Sequence, residues 1–423
     1  MFSINTLVVV EMFSNILSRI EGEGRIDIVI DKDSFKVKIN FTEPQRFFEK
    51  ILYGIDVDYG VDIVSRICGL CGVSHIYAYV KSFEKNIEIP EEVEDYRKVL
   101  LSIERIKSHL IHTCFLYLPD ILNVESINDL FIKYSDLART CSKLYNFVYK
   151  LANCFEYRLH NVINIKLGGV YHYPDKERIS RSTDILNDFK INLRELIRII
   201  YKHRDLFSEK HYFKTLVSLD KEYPFYSDRV IYGNEVISVD KYESKLIDIS
   251  REDSNGSRYC LYDRELYLTG PLARLNNYMY YVRDIIDEYL SEYCLNNVFQ
   301  NIYASIIGRI VEIIYSINYI EKFVDRFRKP SINYVKIRLE DNLYNIFVEA
   351  PRGVLYHSYL VEKNRIINSR IITPTQLNVY AMENMPIHYI RKQSDLNINR
   401  IKMIIRSLDP CLSCAVHIIK LSE

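Results

Sequence analysis

Arg66-Ile-Cys-Gly-Leu-Cys-Gly-Val-Ser-His75 decides how the chain is read, because it sets two cysteines three positions apart with a histidine just downstream. Asp409-Pro-Cys-Leu-Ser-Cys-Ala-Val-His417 repeats the arrangement at the far end of a 423-residue sequence. In a reducing compartment such pairs bind metal or do redox chemistry more often than they form structural disulfides. Four thiolates suit soft or borderline metals such as zinc, iron or nickel. Zinc ribbons keep their pairs within roughly 15–20 residues, whereas here almost the whole chain lies between them. The pairs can meet only if the fold closes around them, with a metal at its centre. Spacing alone leaves open a structural zinc clamp, a functional metal centre and two unrelated pairs.

The rest of the composition narrows the partners. Cys114, Cys141, Cys154, Cys260 and Cys294 stand alone and read as small buried apolar residues. The 56 Lys+Arg balance 56 Asp+Glu, so no excess of cations exists to displace counterions from phosphates, and nucleic acid is excluded as a partner. A hydrophobic fraction of 48% supports a substantial core. The longest apolar run, 302–320, carries Arg309 and Glu312, so no membrane span is expected. The first residues lack the basic start and cleavage site of a signal peptide, and a cytoplasmic location is the expectation.

Periodicity suggests a mainly α single domain over 1–423 with small β regions. Residues 25–42 alternate apolar and polar around Asp31-Lys-Asp-Ser34, as a hairpin does. Helical spacing follows at 46–52 and at 93–118, the latter stopping at Pro119, then at 127–160, 183–206, 277–293, 302–328 and 395–407. The stretch 210–270 is mixed and reads as a peripheral excursion. Alternation returns near 332–372, where 334–339 and 344–348 are expected to pair as strands around Asp341-Asn342.

Together the two cysteine motifs resemble those of nickel–iron hydrogenase large subunits, and the likeness extends along the chain. It continues at Arg19-Ile-Glu-Gly22, Arg46-Phe-Phe-Glu49, Gly168-Gly169, Gly270-Pro-Leu-Ala-Arg274, Glu349-Ala-Pro-Arg-Gly353 and Pro374-Thr-Gln-Leu-Asn378, in the family's order. The resemblance implies a helical hydrogenase large-subunit core holding a Ni–Fe centre whose iron carries carbon monoxide and cyanide. Cys68 and Cys411 would be terminal nickel ligands, and Cys71 and Cys414 would bridge nickel to iron. His75 would donate to a bridging sulfur. Arg352 would stand over the open side of the metals, positioned by Asp409 or Asp120, and would polarise hydrogen or act as the base. Pro351 and Thr375 would surround the cyanides. Glu21 would take the proton from Cys411, although the family usually has a histidine where Glu23 stands. Glu49, His417 and the Ile371 carbonyl would hold a further magnesium or iron ion.

The activity implied is reversible heterolytic cleavage of H₂ into protons and electrons. An iron–sulfur small subunit would take the electrons, with further electron-transfer subunits beyond it as in the cytoplasmic multi-subunit branch. A maturation endopeptidase would remove the tail 418–423. Two alternatives stand beside this reading: a zinc-clamped interaction protein, and a related quinone-reductase subunit, which the presence of all four cysteines disfavours.

Overall fold

The structure is a computed structural model and describes residues 10–31, 34–155, 157–208, 210–251, 258–262, 265–292, 300–393 and 397–415. Helices take about 51% and strands 21%, as the mainly α expectation requires. Two long helices, Glu91–Ile111 and Ser305–Arg326, pack along each other and form the centre. Both are buried on nearly every side, and Arg97, Glu104, Arg105, Lys107, His109, Arg309 and Glu312 are buried with the apolar residues. Buried charges are tolerated only when paired, and Arg97 accordingly grips Glu84 through two hydrogen bonds of 2.7 and 2.9 Å.

Local chemistry revises several boundaries. Helix 91–111 does not stop at Pro119 but loosens into a π-helical segment, His112–Tyr117. Pro119 then sits in the first turn of a new short helix, Leu118–Ile121, where its missing N–H costs nothing. The expected 127–160 helix is two, Ile127–Lys133 and Ser135–Cys154. Gly72–Glu84 and Pro374–Gln393 are helices that the periodicity did not reveal. Every residue of Gly72–Glu84 is buried, so it has no polar face to betray a period.

The β regions are larger than the sequence indicates. The N-terminal hairpin Gly24–Asp31 and Ser34–Phe41 gains a third strand, Val10–Ile16. An antiparallel sheet orders Arg365–Ile372, Gly353–Glu362, Asn342–Ala350 and Tyr226–Ser227. The expected strand at 334–339 is absent from these sheets. Asn342–Ala350 instead pairs with Gly353–Glu362, and the Pro351-Arg352 turn is held between them. The 210–270 stretch supplies the strands Lys214–Ser218, Arg229–Tyr232, Glu235–Ser238 and Tyr267–Leu268 of another sheet. Its side chains form a second core with Phe347, Val354 and Tyr356. No helix among the described residues is long and apolar enough to cross a membrane.

Candidate metal centre

The first cysteine pair occupies the loop entering helix Gly72–Glu84, with Cys71 at its N-cap. The amides of Leu70 and Cys71 donate to Cys68 Sγ at 3.4 and 3.2 Å. Surrounding side chains pin the loop. Arg46 donates to the carbonyls of Ile67 (2.8 Å) and Arg66 (2.9 Å), and Lys107 donates to that of Gly69 (3.2 Å). The buried Glu104 carboxylate accepts the amides of Val73 (2.6 Å) and Ser74 (2.9 Å), capping the helix where its dipole favours an anion.

Helix Ile398–Ser407 delivers the second pair. Asp409 follows in the left-handed region at φ 52°, turning the chain inward before Pro410. Cys411 donates its amide to Thr375 Oγ1 at 2.9 Å, while the Leu412 amide donates to the Glu21 carbonyl at 2.9 Å. Gly22 makes that approach possible. It has φ 87°, and a Cβ there would lie 2.8 Å from the Ser413 amide.

These two ends of the chain bring Cys68, Cys71, Cys411 and Cys414 together, buried, with all four sulfurs within 4.8 Å of one another. Cys68 and Cys411 are 3.7 Å apart, and the sulfurs of Cys411 and Cys414 touch. Beside them, Cys411 Sγ donates to Glu21 Oε2 at 2.9 Å, and Ser413 donates to the other oxygen of the same carboxylate.

Arg352 enters from the turn between the strands Asn342–Ala350 and Gly353–Glu362. Arg274 fixes this turn by donating to the carbonyls of Ala350 (3.0 Å) and Pro351 (2.9 Å). Gly270, at φ 117°, allows contact, since a Cβ there would meet the Arg352 carbonyl at 2.6 Å. The guanidinium donates to the Asp409 carbonyl (2.9 Å) and carboxylate (3.2 Å), while its other terminal nitrogen is buried without a hydrogen-bond partner among the described residues. Burial alone would lower its pKa, but Asp409, with Cys71, Cys68 and Glu21, outweighs burial and holds Arg352 above the usual arginine range. The Asp409 carboxylate and carbonyl thus hold the Arg352 guanidinium in place beside the four sulfurs. Asp409 also pairs with Arg309 at 3.3 Å. From Arg309 a buried chain continues to His109 (3.1 Å), Glu312 (2.6 Å) and Arg274.

Other expected residues stand elsewhere. Asp120 does not meet Arg352; its carboxylate is taken by Arg19 and, at 2.9 Å, by Arg406. His75 lies one turn from Cys71 and its ring meets His357 at 3.1 Å. Glu49 meets Ile371 through the Ile371 amide, which donates at 2.6 Å, and burial pushes the Glu49 carboxyl up to about 8. His417 and the tail lie outside the described residues. Sequence reading missed Glu104, Lys107, Arg309, His109, Glu312 and His357. The available signal was charge within apolar runs, which in a buried helix must find a partner.

Four clustered cysteine sulfurs, a buried guanidinium nitrogen without a partner among the described residues and a carboxylate beside one of the sulfurs fit a two-metal thiolate centre. A structural zinc needs only the thiolates. The nickel-dependent hydrogenase family model matches residues 46–173 and 257–417. The chain is 26% identical to the alpha subunit of sulfhydrogenase 2 of Pyrococcus furiosus, over 96% of this chain and 98% of that protein. It is 22% identical to the alpha subunit of coenzyme F420 hydrogenase of Methanothermobacter thermautotrophicus, over 96% and 94% of the two chains. A solved NAD⁺-reducing [NiFe]-hydrogenase in the H₂-reduced state superposes with a TM-score of 0.84 at 21% identity, covering 97% of this chain and 100% of that one, and so shares the fold. With motif order, site geometry and family match in agreement, this chain belongs to the nickel-dependent hydrogenase family.

Proposed function

We propose the following assignment of roles within that family. The chain is the catalytic subunit of a nickel–iron hydrogenase, an oxidoreductase acting on H₂. Cys68, Cys71, Cys411 and Cys414 would hold a nickel–iron centre whose iron carries carbon monoxide and cyanide, with Cys68 and Cys411 as ligands of nickel and Cys71 and Cys414 as ligands shared by both metals. When bound, the centre supplies the site of heterolytic H₂ cleavage.

The chain's own residues govern what happens around that event. Cys411 receives the proton and hands it to Glu21, 2.9 Å away, and this contact is the observation that carries the mechanism. Glu43 would take the proton next; its carboxylate accepts the Glu23 amide at 2.9 Å, and its pKa is raised by burial and by the nearby charge of Glu21. Arg352, kept cationic and aligned by Asp409, polarises hydrogen without taking its proton. Thr375 accepts the Cys411 amide, which leaves its own hydroxyl hydrogen for a cyanide beside Pro351. Glu49, the Ile371 carbonyl and His417 would hold a magnesium or iron ion, whose charge would offset that of the Glu49 carboxylate.

Electrons leave through a partner, since the relatives are alpha subunits of multi-subunit hydrogenases. That partner is an iron–sulfur small subunit, and the assembly works in the cytoplasm after an endopeptidase cuts behind His417. Replacing Glu21 with Gln keeps the shape but removes the proton acceptor. H₂ turnover should fall by about 10²–10⁴-fold with nickel retained; unchanged turnover would take Glu21 out of the path.

A further inference from the structure

His75 is joined to two buried residues that no motif includes. Its Nδ1 lies 3.1 Å from His357 Nε2, and His357 Nδ1 lies 2.6 Å from the hydroxyl of Tyr359. All three side chains are buried. His357 and Tyr359 share one face of strand Gly353–Glu362, two residues apart. On helix Gly72–Glu84, His75 and Tyr79 share the face that meets them, and Tyr79 packs edge-on against the Tyr359 ring at 5.0 Å.

Hydrogen-bond accounting fixes the direction of this row. Burial holds the Tyr359 hydroxyl protonated, far above the usual phenol range. Among the described residues, His357 Nδ1 is the hydrogen-bond partner of that hydroxyl. If Nδ1 carried a proton and donated, the buried phenol hydrogen would be left without an acceptor, which burial disfavours. The phenol therefore donates, His357 carries its proton on Nε2 and donates it to His75 Nδ1, and the remaining proton of a neutral His75 is confined to Nε2.

We propose that Tyr359 and His357 are positioning residues, a donor relay that locks His75 in its Nε2–H tautomer so that this N–H is offered to a metal-bridging thiolate one helical turn away. A reversed relay would present a lone pair to a thiolate, which repels it. The relay rests on the nickel–iron reading for its purpose but not for its existence.

The test uses holoenzyme labelled with ¹⁵N-histidine, the His75 signals being assigned by their loss in His75→Asn. Wild type should show His75 with bare Nδ1 and protonated Nε2. Tyr359→Phe should give a mixture of tautomers. It should also move the infrared bands of iron-bound carbon monoxide and cyanide together to lower frequency, because a thiolate that loses its donor gives more electron density to iron, while nickel content stays at the wild-type level. Adding His357→Gln to Tyr359→Phe should restore the single tautomer, since the glutamine amide supplies an N–H where His357 Nε2 stood. Protonated Nδ1 in wild type overturns the relay outright, as does an unchanged single tautomer in Tyr359→Phe. Absence of nickel or of the bands in wild type would instead remove the metal reading and leave the ring-nitrogen result standing.

Discussion

Two buried regions of the molecule are built on opposite terms. Around the cysteines, Arg352, Asp409, Arg309, His109, Glu312, Arg274 and Glu349 are all buried and linked by ion pairs or hydrogen bonds. In the second core, Leu216, Val230, Tyr232, Ile237, Tyr242, Tyr262 and Tyr267 pack with Phe347 and Tyr356. Desolvated charges are an expensive way to hold a fold together, and hydrophobic replacement often stabilises such sites. The charged core is thus organised for chemistry, while the aromatic one holds shape. The family match covers the charged network in full and the aromatic core in part. It spans residues 46–173 and 257–417, leaving out much of the segment that builds the aromatic core.

The sharpest break in this contrast comes from Arg352. Arg352→Lys keeps a cation but loses the fork that meets Asp409, and H₂ turnover should fall by about 10²–10³-fold at unchanged nickel content. Turnover within a few-fold of wild type would show that charge alone suffices. Next in size, Asp409→Ala leaves two buried arginines short of a carboxylate. Denaturant unfolding should report a loss of about 3–5 kcal/mol, and a loss below about 1 kcal/mol would mean that the pairs contribute little. Ile237→Ala in the aromatic core should cost about 2–4 kcal/mol as a cavity, yet leave turnover per folded molecule unchanged. A turnover defect there would dissolve the division between the cores.

The smallest effect is one of pH. Burial holds His109 neutral with a pKa near 4 and His112 with one near 3. Both folded values lie below the unfolded value of about 6.5, so the unfolded chain binds more protons in that window and stability falls as pH drops from 6.5 toward 4. The slope is at most about 1.4 kcal/mol per pH unit for each histidine. Urea midpoints at pH 7 and 5.5 should differ more for wild type than for His112→Gln. Equal differences would place the acid sensitivity elsewhere.

The two cores were unequally legible in sequence. The cysteines, Glu21, Arg352 and Asp409 stood out because ligand spacing and motif order are written along the chain. Arg309 and Glu312 were visible only as charges that break an apolar run, since their value comes from His109 and Arg274 on distant segments. His357 and Tyr359 carried no signal at all, being ordinary alternation on a strand until His75 packs against them. The strand expected at 334–339 failed for a related reason. Its alternation is real, but Val335 runs beside Gly168, its amide donating a hydrogen bond to that residue's carbonyl, and the sheet partner of 342–350 comes from downstream. Period reports which face is buried and leaves the neighbour to tertiary packing.

Metal analysis of the purified enzyme is the most direct test of the four-sulfur centre. One nickel per chain, lost in Cys411→Ser together with H₂ turnover, is the expected result. One zinc per chain with no nickel, and no infrared bands from iron-bound carbon monoxide or cyanide, would contradict it.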